Sequence, residues 1–124
     1  MGSRFNDDES TIVRVAPYLS QQPEGRTPPC LELVRGPDAP RRFALALPTL
    51  TLGRSARAQL CVESQSLSRL HMQLTRRDGE VHCLDLESAN GVYLNGLRVH
   101  SAMLHEGDVL QLGEVTFVFH EGGT

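Results

Sequence analysis

Short strands separated by turn residues run through most of the chain, and this pattern constrains the fold more than any other feature. In the last strand, Val115, Phe117 and Phe119 recur at every second position, which is typical of a strand with one buried face. Asn95-Gly96 stands between two leucines and favours a two-residue hairpin turn, because both central positions of that turn need a positive φ. No stretch keeps a helical period for as many as ten residues. Many short strands with such turns indicate a β-sandwich or a β-barrel.

The same pattern predicts where the strands lie. Gly113 falls between the last two strands, and we expect it to serve the hairpin that joins them. The predicted strands comprise residues 31–35, 43–47, 50–53, 60–62, 72–75, 81–86, 92–94, 109–112 and 115–120.

Size and composition limit the class of protein. A chain of 124 residues with 40% hydrophobic residues has room for one domain with a modest core. The net charge of −3 argues against a general role in binding nucleic acid or anionic membranes. No apolar run approaches the ~20 residues of a membrane span, and the start lacks the apolar core of a secretory signal, so we expect a cytoplasmic protein. The three widely spaced cysteines predict buried free thiols rather than a disulfide framework.

The first 29 residues differ from the rest in composition. Apolar residues are sparse there and show no sustained period, so we expect residues 1–29 to be a flexible tail. Residues 30–120 are then the folded domain, and residues 121–124 are a short C-terminal tail.

Five short motifs follow one another along the predicted domain. They are Gly53-Arg54-Ser55, Ser68-Arg69-Leu70-His71, Asp85-Leu86-Glu87-Ser88-Ala89-Asn90-Gly91, Leu94-Asn95-Gly96 and Glu106-Gly107-Asp108. Their order and spacing resemble those of the forkhead-associated (FHA) domain over about residues 30 to 120, as in small bacterial FHA signalling regulators. The resemblance implies an all-β fold, an eleven-stranded antiparallel FHA/SMAD-like sandwich whose loops at one end bind phosphothreonine peptides. It also implies a binding module in Ser/Thr kinase signalling, without catalysis of its own.

Residue chemistry suits Arg54 and Ser68 to a phosphate site. Arg54 follows a strand that ends at Gly53, and its planar guanidinium can donate two charge-assisted hydrogen bonds to phosphate oxygens. Ser68 is small enough to approach the phosphate and donate its hydroxyl proton. Arg69 adds a second positive charge or a contact to the peptide backbone. The structural alternatives are salt-bridged or solvated arginines and a turn serine.

The resemblance gives Asn90 and His71 different roles. The amide of Asn90 can donate to and accept from an extended peptide backbone, and by resemblance it holds the bound peptide near its phosphorylated residue. Alternatively, Asn90 is a left-handed turn residue before Gly91, which we expect to be conformational. By resemblance, His71 supports the site and holds Ser68 and Arg69 in place through hydrogen bonds within its own loop.

Two positions depart from the family pattern. Ala89 precedes the Asn-Gly pair where threonine is common, so one hydroxyl that could contact phosphate or order the loop is missing. Val92 follows that pair where threonine or serine is common. Ser88 can compensate only if its side chain faces the site. Because Arg54 and Ser68 are the stronger determinants, we expect binding to survive in weaker form.

Thr11 is a candidate phosphorylation site. It follows the acidic cluster Asp7-Asp8-Glu9, which suits an acidophilic Ser/Thr kinase. The segment is similar to the N-terminal phosphothreonine segments of small bacterial FHA regulators, whose modified tail folds back onto its own domain. An unmodified tail is the alternative. The expected partners are therefore a phosphothreonine-containing protein, a Ser/Thr kinase and the intramolecular tail.

Two further functions stay open at this point. A phosphate-independent scaffold on the same fold is favoured by Ala89 and Val92. A hydrolase with Ser68, His71 and Asp85 as a triad would lack a nucleophile elbow and an oxyanion loop, so we predict no catalytic residue. No cysteine or histidine has the paired spacing of a zinc module, and we predict neither a metal site nor a cofactor.

Overall fold

A computed structural model describes residues 27–123, which form eleven β-strands and no helix. This confirms the all-β prediction and the number of strands that the resemblance implies. The strands are β1 Cys30–Arg35, β2 Arg41–Ala44, β3 Thr49–Gly53, β4 Leu60–Cys61, β5 Met72–Arg77, β6 Glu80–Asp85, β7 Val92–Leu94, β8 Leu97–Val99, β9 Ser101–Leu104, β10 Val109–Leu112 and β11 Val115–His120.

The strands form two sheets that share one core. One sheet has the order β9-β6-β5-β3-β4, and the other has the order β2-β1-β11-β10-β7-β8. Neighbouring strands are antiparallel except for β3 and β4, which run parallel with Leu52 opposite Leu60. The short loop 54–59 leads the chain back beside β3, so that β4 runs in the same direction as β3. At the end of β4, Val62 N donates to Gly53 O at 2.9 Å.

The core lies between the two sheets and follows the predicted alternation. In β11, Val115, Phe117 and Phe119 are buried, whereas the residues between them are half-buried on the outer face. Phe43 of β2 packs its ring edge against Phe117, with ring centroids 6.3 Å apart. Each large apolar side chain buried in this way contributes about 1.5–3 kcal/mol of transfer free energy.

The largest differences from the predicted strands lie at the sheet edges. β2 covers 41–44 rather than 43–47. Leu45 still donates its N–H to Pro29 O at 2.8 Å, but Pro29 has no N–H with which to return a bond, so the ladder ends there. β8 and β9 were not predicted from the pattern. Both are edge strands, and among their residues only Leu104 is fully buried, so their sequences carry little alternation.

Two hairpin turns form as predicted. Asn95 and Gly96 have φ angles of 50° and 88°, so both central positions are left-handed. Gly113 has a φ of 60° and, with Glu114, closes the turn between β10 and β11.

One end of the sandwich collects the loops that carry the sequence motifs. Strand directions place loops 54–59, 62–71 and 86–91 and the turn 113–114 at this end, which we call the rim. The bridge between Thr27 and Gly123 lies at the opposite end, where β1 begins and β11 ends.

Candidate functional site

The backbone of Gly53 and Arg54 is held against the loop that carries Ser68 and Arg69. Arg54 N donates to Ser68 O at 3.0 Å, and Ser55 N donates to Arg69 O at 3.1 Å. A Cβ on Gly53 would lie 2.1 Å from Arg69 O, so no other residue fits there without moving the loop. The sequence Gly-Arg therefore fixes where the arginine side chain starts.

The side chain of Arg54 is half-buried and anchored at one nitrogen. Its Nε donates to Leu67 O at 3.0 Å. Within residues 27–123 its two terminal nitrogens have no hydrogen-bond or ion-pair partner. One anchored and two unused donor groups leave a planar fork free to bind an anion.

Ser68 joins two rim loops through its hydroxyl oxygen. The backbone N–H of Ala89 donates to Ser68 Oγ at 3.0 Å. Because this bond uses only a lone pair of the oxygen, the hydroxyl proton is available to a further acceptor. Ser68 therefore lies beside Arg54, and its hydroxyl group can still donate one hydrogen bond.

His71 is completely buried and bridges the same two loops. Its Nδ1 accepts the N–H of Ser68 at 3.0 Å, so the ring proton must sit on Nε2, which donates to Gly91 O at 2.9 Å. The family resemblance predicts hydrogen bonds within the loop of His71 itself. The bond to Gly91 goes further, because it ties loop 62–71 to loop 86–91.

Asn90 is exposed at the rim and uses half of its amide. Its Nδ2 donates to Ser66 O at 2.8 Å, and its Oδ1 has no partner among residues 27–123. The left-handed alternative for Asn90 is wrong, because Gly91, with a φ of 80°, takes that conformation instead.

Arg69 is exposed, and its side chain contacts no charged or hydrogen-bonding group in residues 27–123. Its backbone carbonyl, which accepts the N–H of Ser55, is the part that shapes the site. Whether the side chain binds a ligand stays a prediction.

The two departures from the family pattern lie in different environments. Ala89 is exposed beside Ser68, so the hydroxyl group that the family's common threonine would supply is absent from the rim itself. Val92 is fully buried in the core and does not face the rim. Ser88 turns inward, where its Oγ accepts the N–H of Gly91 at 2.9 Å, so it does not replace the hydroxyl.

Sequence reasoning missed two residues of this end of the molecule. Ser66 accepts from Asn90 through its carbonyl and from Glu114 N through its Oγ at 3.0 Å, so it joins the two sheets. Arg98 lies against the loop, and a Cβ on Gly91 would lie 2.8 Å from its Nε. The only signal in the sequence is that Ser66 and Arg98 each lie two residues from one of the five motifs.

The rim carries no net charge, whereas the chain as a whole is negative. Loops 54–59, 62–71 and 86–91 contain three arginines and two glutamates, Glu63 and Glu87, and the turn 113–114 adds Glu114, which gives a net charge of zero against −3 for the whole chain. An anionic ligand would thus be steered to this end rather than to the opposite one.

The residues between Thr27 and Gly123 contain no metal site, no paired cysteines and no membrane-spanning helix. Across these residues no cluster of three or more His, Cys, Asp or Glu side chains could hold a metal ion. All three cysteines are free, but only Cys83 is buried, and burial raises the pKa of its thiol to about 11. The prediction of buried thiols is therefore wrong for Cys30 and Cys61, which are half-buried. No helix in this part of the chain is long and apolar enough to cross a membrane.

Comparison with known proteins agrees with this geometry. The model of the FHA domain matches residues 50–113. Over 100 residues the chain is 38% identical to the oxoglutarate dehydrogenase inhibitor of Corynebacterium diphtheriae, covering 77% of this chain and 70% of that protein. It is 37% identical to the glycogen accumulation regulator GarA of Mycolicibacterium smegmatis, covering 74% of this chain and 58% of that protein. The chain belongs to the FHA domain family, as the sequence motifs indicated.

A solved structure supports the same assignment. The fold matches a structure from a study of phosphothreonine-dependent FHA domain interactions with a TM-score of 0.70 and 26% identity, covering 76% of this chain and 96% of the other. The two bacterial relatives are named as an inhibitor and a regulator. The aligned segment spans less than two thirds of the second.

Proposed function

We propose that this chain is a phosphothreonine-dependent protein-binding module of Ser/Thr kinase signalling in the cytoplasm, and not an enzyme. One observation carries the proposal. Arg54 and Ser68 are tied to each other by a 3.0 Å backbone hydrogen bond, while the terminal guanidinium nitrogens and the hydroxyl proton have no acceptor among residues 27–123. A phosphate group that is mostly dianionic at pH 7 offers acceptors to both.

Neighbouring residues complete the binding site in this proposal. Asn90 has a free amide oxygen that accepts from the backbone of an extended peptide, and Arg69 adds an exposed positive charge. His71, Gly53 and Gly91 do not touch the ligand but fix the loops that do.

The decisive experiment is titration of matched phosphothreonine and plain threonine peptides. We expect binding only of the phosphorylated peptide, and its loss in Arg54→Ala with the thermal transition retained. Arg57→Ala is the matched control, because Arg57 is exposed in the same loop and its side chain has no partner in residues 27–123. Affinity should fall in high salt and at pH 5, where the phosphate, with its second pKa near about 6, loses charge. Retained affinity in Arg54→Ala would contradict the proposal.

Self-regulation by phosphorylated Thr11 is part of the proposal. Thr11 lies outside the described residues, and Thr27 lies at the end opposite the rim. Fifteen residues, 12–26, lie between the two positions, so the sixteen residue-to-residue steps reach at most roughly 55 Å, at about 3.3–3.6 Å per step. β5, which runs between the two ends, has six residues and spans roughly 20 Å. The tether is therefore long enough for phosphorylated Thr11 to occupy the rim at high effective concentration.

A competition assay tests the tail. Protein phosphorylated on Thr11 should capture an external phosphothreonine peptide more weakly than unmodified protein does, and Thr11→Ala treated with the same kinase should not change. Equal capture by the phosphorylated and unmodified forms would remove this part of the proposal.

Exposed Ala89 favours one rival, a scaffold that binds its partner without phosphate. The family's common threonine would place a hydroxyl at this point of the rim, and this chain has only a methyl group there. Equal responses to the phosphorylated and plain peptides would establish the rival instead.

A further inference from the structure

We propose that a trough beside the rim binds the residues of the partner protein that lie four to seven positions from the phosphothreonine, on one side of it, and favours an acidic side chain there. Two adjoining depressions of about 320 and 420 Å³ form the trough, because Gln111 and Gly113 line both. Asn90 and Tyr93 line the first depression, and Arg35 lies in the second. The inference rests on the proposed function and extends it to the class of sequence that the module selects.

The trough is continuous with the phosphate site. Asn90 lines its near end and bonds through Nδ2 to Ser66 O, two residues before Ser68. Ser66 Oγ also accepts the N–H of Glu114 at 3.0 Å, and a Cβ on Gly113 would lie 2.6 Å from Ser66. The turn 113–114 is thus fixed as a wall of the trough by the same loop that carries Ser68.

The dimensions fit a short extended segment. The floor crosses the outer face of the six-stranded sheet, where Tyr93 pairs with Gln111, Gln111 with Thr116, and Thr116 with Arg35. Three strand spacings of about 4.8 Å give a length of about 14 Å, which four extended residues at about 3.3 Å each would fill.

Charge gives the trough its preference. Arg98 is the cross-strand partner of Tyr93, and its guanidinium lies against Gly91, next to Asn90. Within residues 27–123 neither Arg98 nor Arg35 has a hydrogen-bond or ion-pair partner, so both charges are available. Only Glu114 opposes them along the lining. An exposed guanidinium fork beside an extended peptide selects carboxylate side chains.

Peptide extension tests the proposal on the full chain with Thr11 unmodified. The probes are fluorescent peptides with a seven-residue core centred on phosphothreonine, extended by four residues on either side that contain either aspartate or asparagine. We expect the aspartate extension on one side to tighten binding about three- to tenfold relative to the core, the scale of an exposed ion pair with a few hydrogen bonds. The asparagine extension should give a smaller gain in affinity.

Variants show whether the gain comes from the trough. In Gln111→Trp, which fills the floor, and in Arg98→Gln, the ratio of extended to core affinity should fall towards one. Val109→Trp lies on the same face of β10 beyond the trough, and Arg77→Gln removes an exposed arginine at the opposite end, so both should keep the wild-type ratio.

The outcomes separate the two proposals. If the core peptide binds and neither extension changes its affinity, or if the gain survives in Gln111→Trp, the trough proposal is wrong and the proposed function stands. If wild-type protein fails to bind even the core peptide, the proposed function fails and the trough proposal fails with it.

Discussion

The chain contains two Asn-Gly pairs five residues apart, and they differ in how they use the asparagine. Asn95 has a left-handed backbone, and both polar atoms of its side-chain amide are hydrogen-bonded. Its Nδ2 donates to Asp108 Oδ1 at 3.0 Å, and its Oδ1 accepts the N–H of Val109 at 2.9 Å. Asn90 leaves the left-handed conformation to Gly91 and uses only Nδ2 among the described residues. The same dipeptide therefore closes a turn at one end of the sandwich and offers an acceptor at the other.

The contrast extends to the surrounding side chains. At the end opposite the rim, both carboxylate oxygens of Asp108 accept hydrogen bonds, and both ring nitrogens of His120 bind glutamates. At the rim, Arg54 and Arg98 keep unused donors within the described part of the chain. Spare hydrogen-bonding capacity, rather than residue type, distinguishes the candidate binding end from the structural end.

The largest expected effect comes from the tightest contact at the rim. Gly53→Ala places a Cβ 2.1 Å from Arg69 O, between two backbones that cannot both stay in place. We expect a loss of more than about 4 kcal/mol in the free energy of unfolding, measured by urea denaturation. Gly96→Ala is the control, because its only difficulty is a φ of 88° with no atom nearby, a cost of about 1–2 kcal/mol. Equal losses would show that the loop contact is not rigid.

His71 gives the next largest effect. His71→Leu leaves the buried carbonyl of Gly91 and the N–H of Ser68 without their partners, which costs about 1–3 kcal/mol for each group. Because the two rim loops are then no longer joined through the ring, phosphopeptide affinity should fall as well. His82→Leu, on the exposed face of β6, is the matched control and should change unfolding by less than about 0.5 kcal/mol. An unaltered affinity in His71→Leu would mean that the ring does not position Ser68.

The two asparagines give a crossed result of intermediate size. Asn95→Ala should cost about 1–2 kcal/mol of stability, through two lost hydrogen bonds and a strained backbone, with phosphopeptide affinity unchanged. Asn90→Ala should cost under about 1 kcal/mol of stability and lower affinity more than about tenfold. Thermal denaturation and peptide titration of both variants give the four values. If both asparagines affected only stability, the distinction between the two ends would be lost.

The sequence predicts those parts of the fold in which local chemistry decides the outcome. Alternation places the inner strands because one face of each is buried, as in β11, and positive φ places the turn at Asn95-Gly96. β8 and β9 escape prediction because an edge strand has one neighbour and little buried surface. The parallel pairing of β3 with β4 depends on a short loop whose path no local pattern specifies.

The site divides in the same way. Arg54, Ser68, His71 and Asn90 were found because their chemistry and order resemble a known motif set. Their partners were not found, because a bond such as His71 to Gly91 joins residues 20 apart in the chain. Ser66 was missed for the same reason, since its importance lies in touching two loops that the sequence keeps apart.

The smallest expected effect concerns the end opposite the rim and depends on pH. His120 lies between Glu106 and Glu32 at 2.9 Å from each, and these hydrogen bonds raise the pKa of His120 above its usual 6.5. The bond from His120 also lowers the pKa of Glu106 below its usual 4.5. The histidine contribution is complete below pH 6.5 and is lost as pH rises through the raised pKa. The glutamate contribution is complete above pH 4.5 and is lost as pH falls through the lowered pKa, so the cluster stabilises most between these two values. The melting temperature of His120→Gln should therefore lie slightly below that of the wild type near pH 5.5 and approach it as pH rises through the raised pKa of the histidine, whereas a constant difference would show that the ring acts by packing alone.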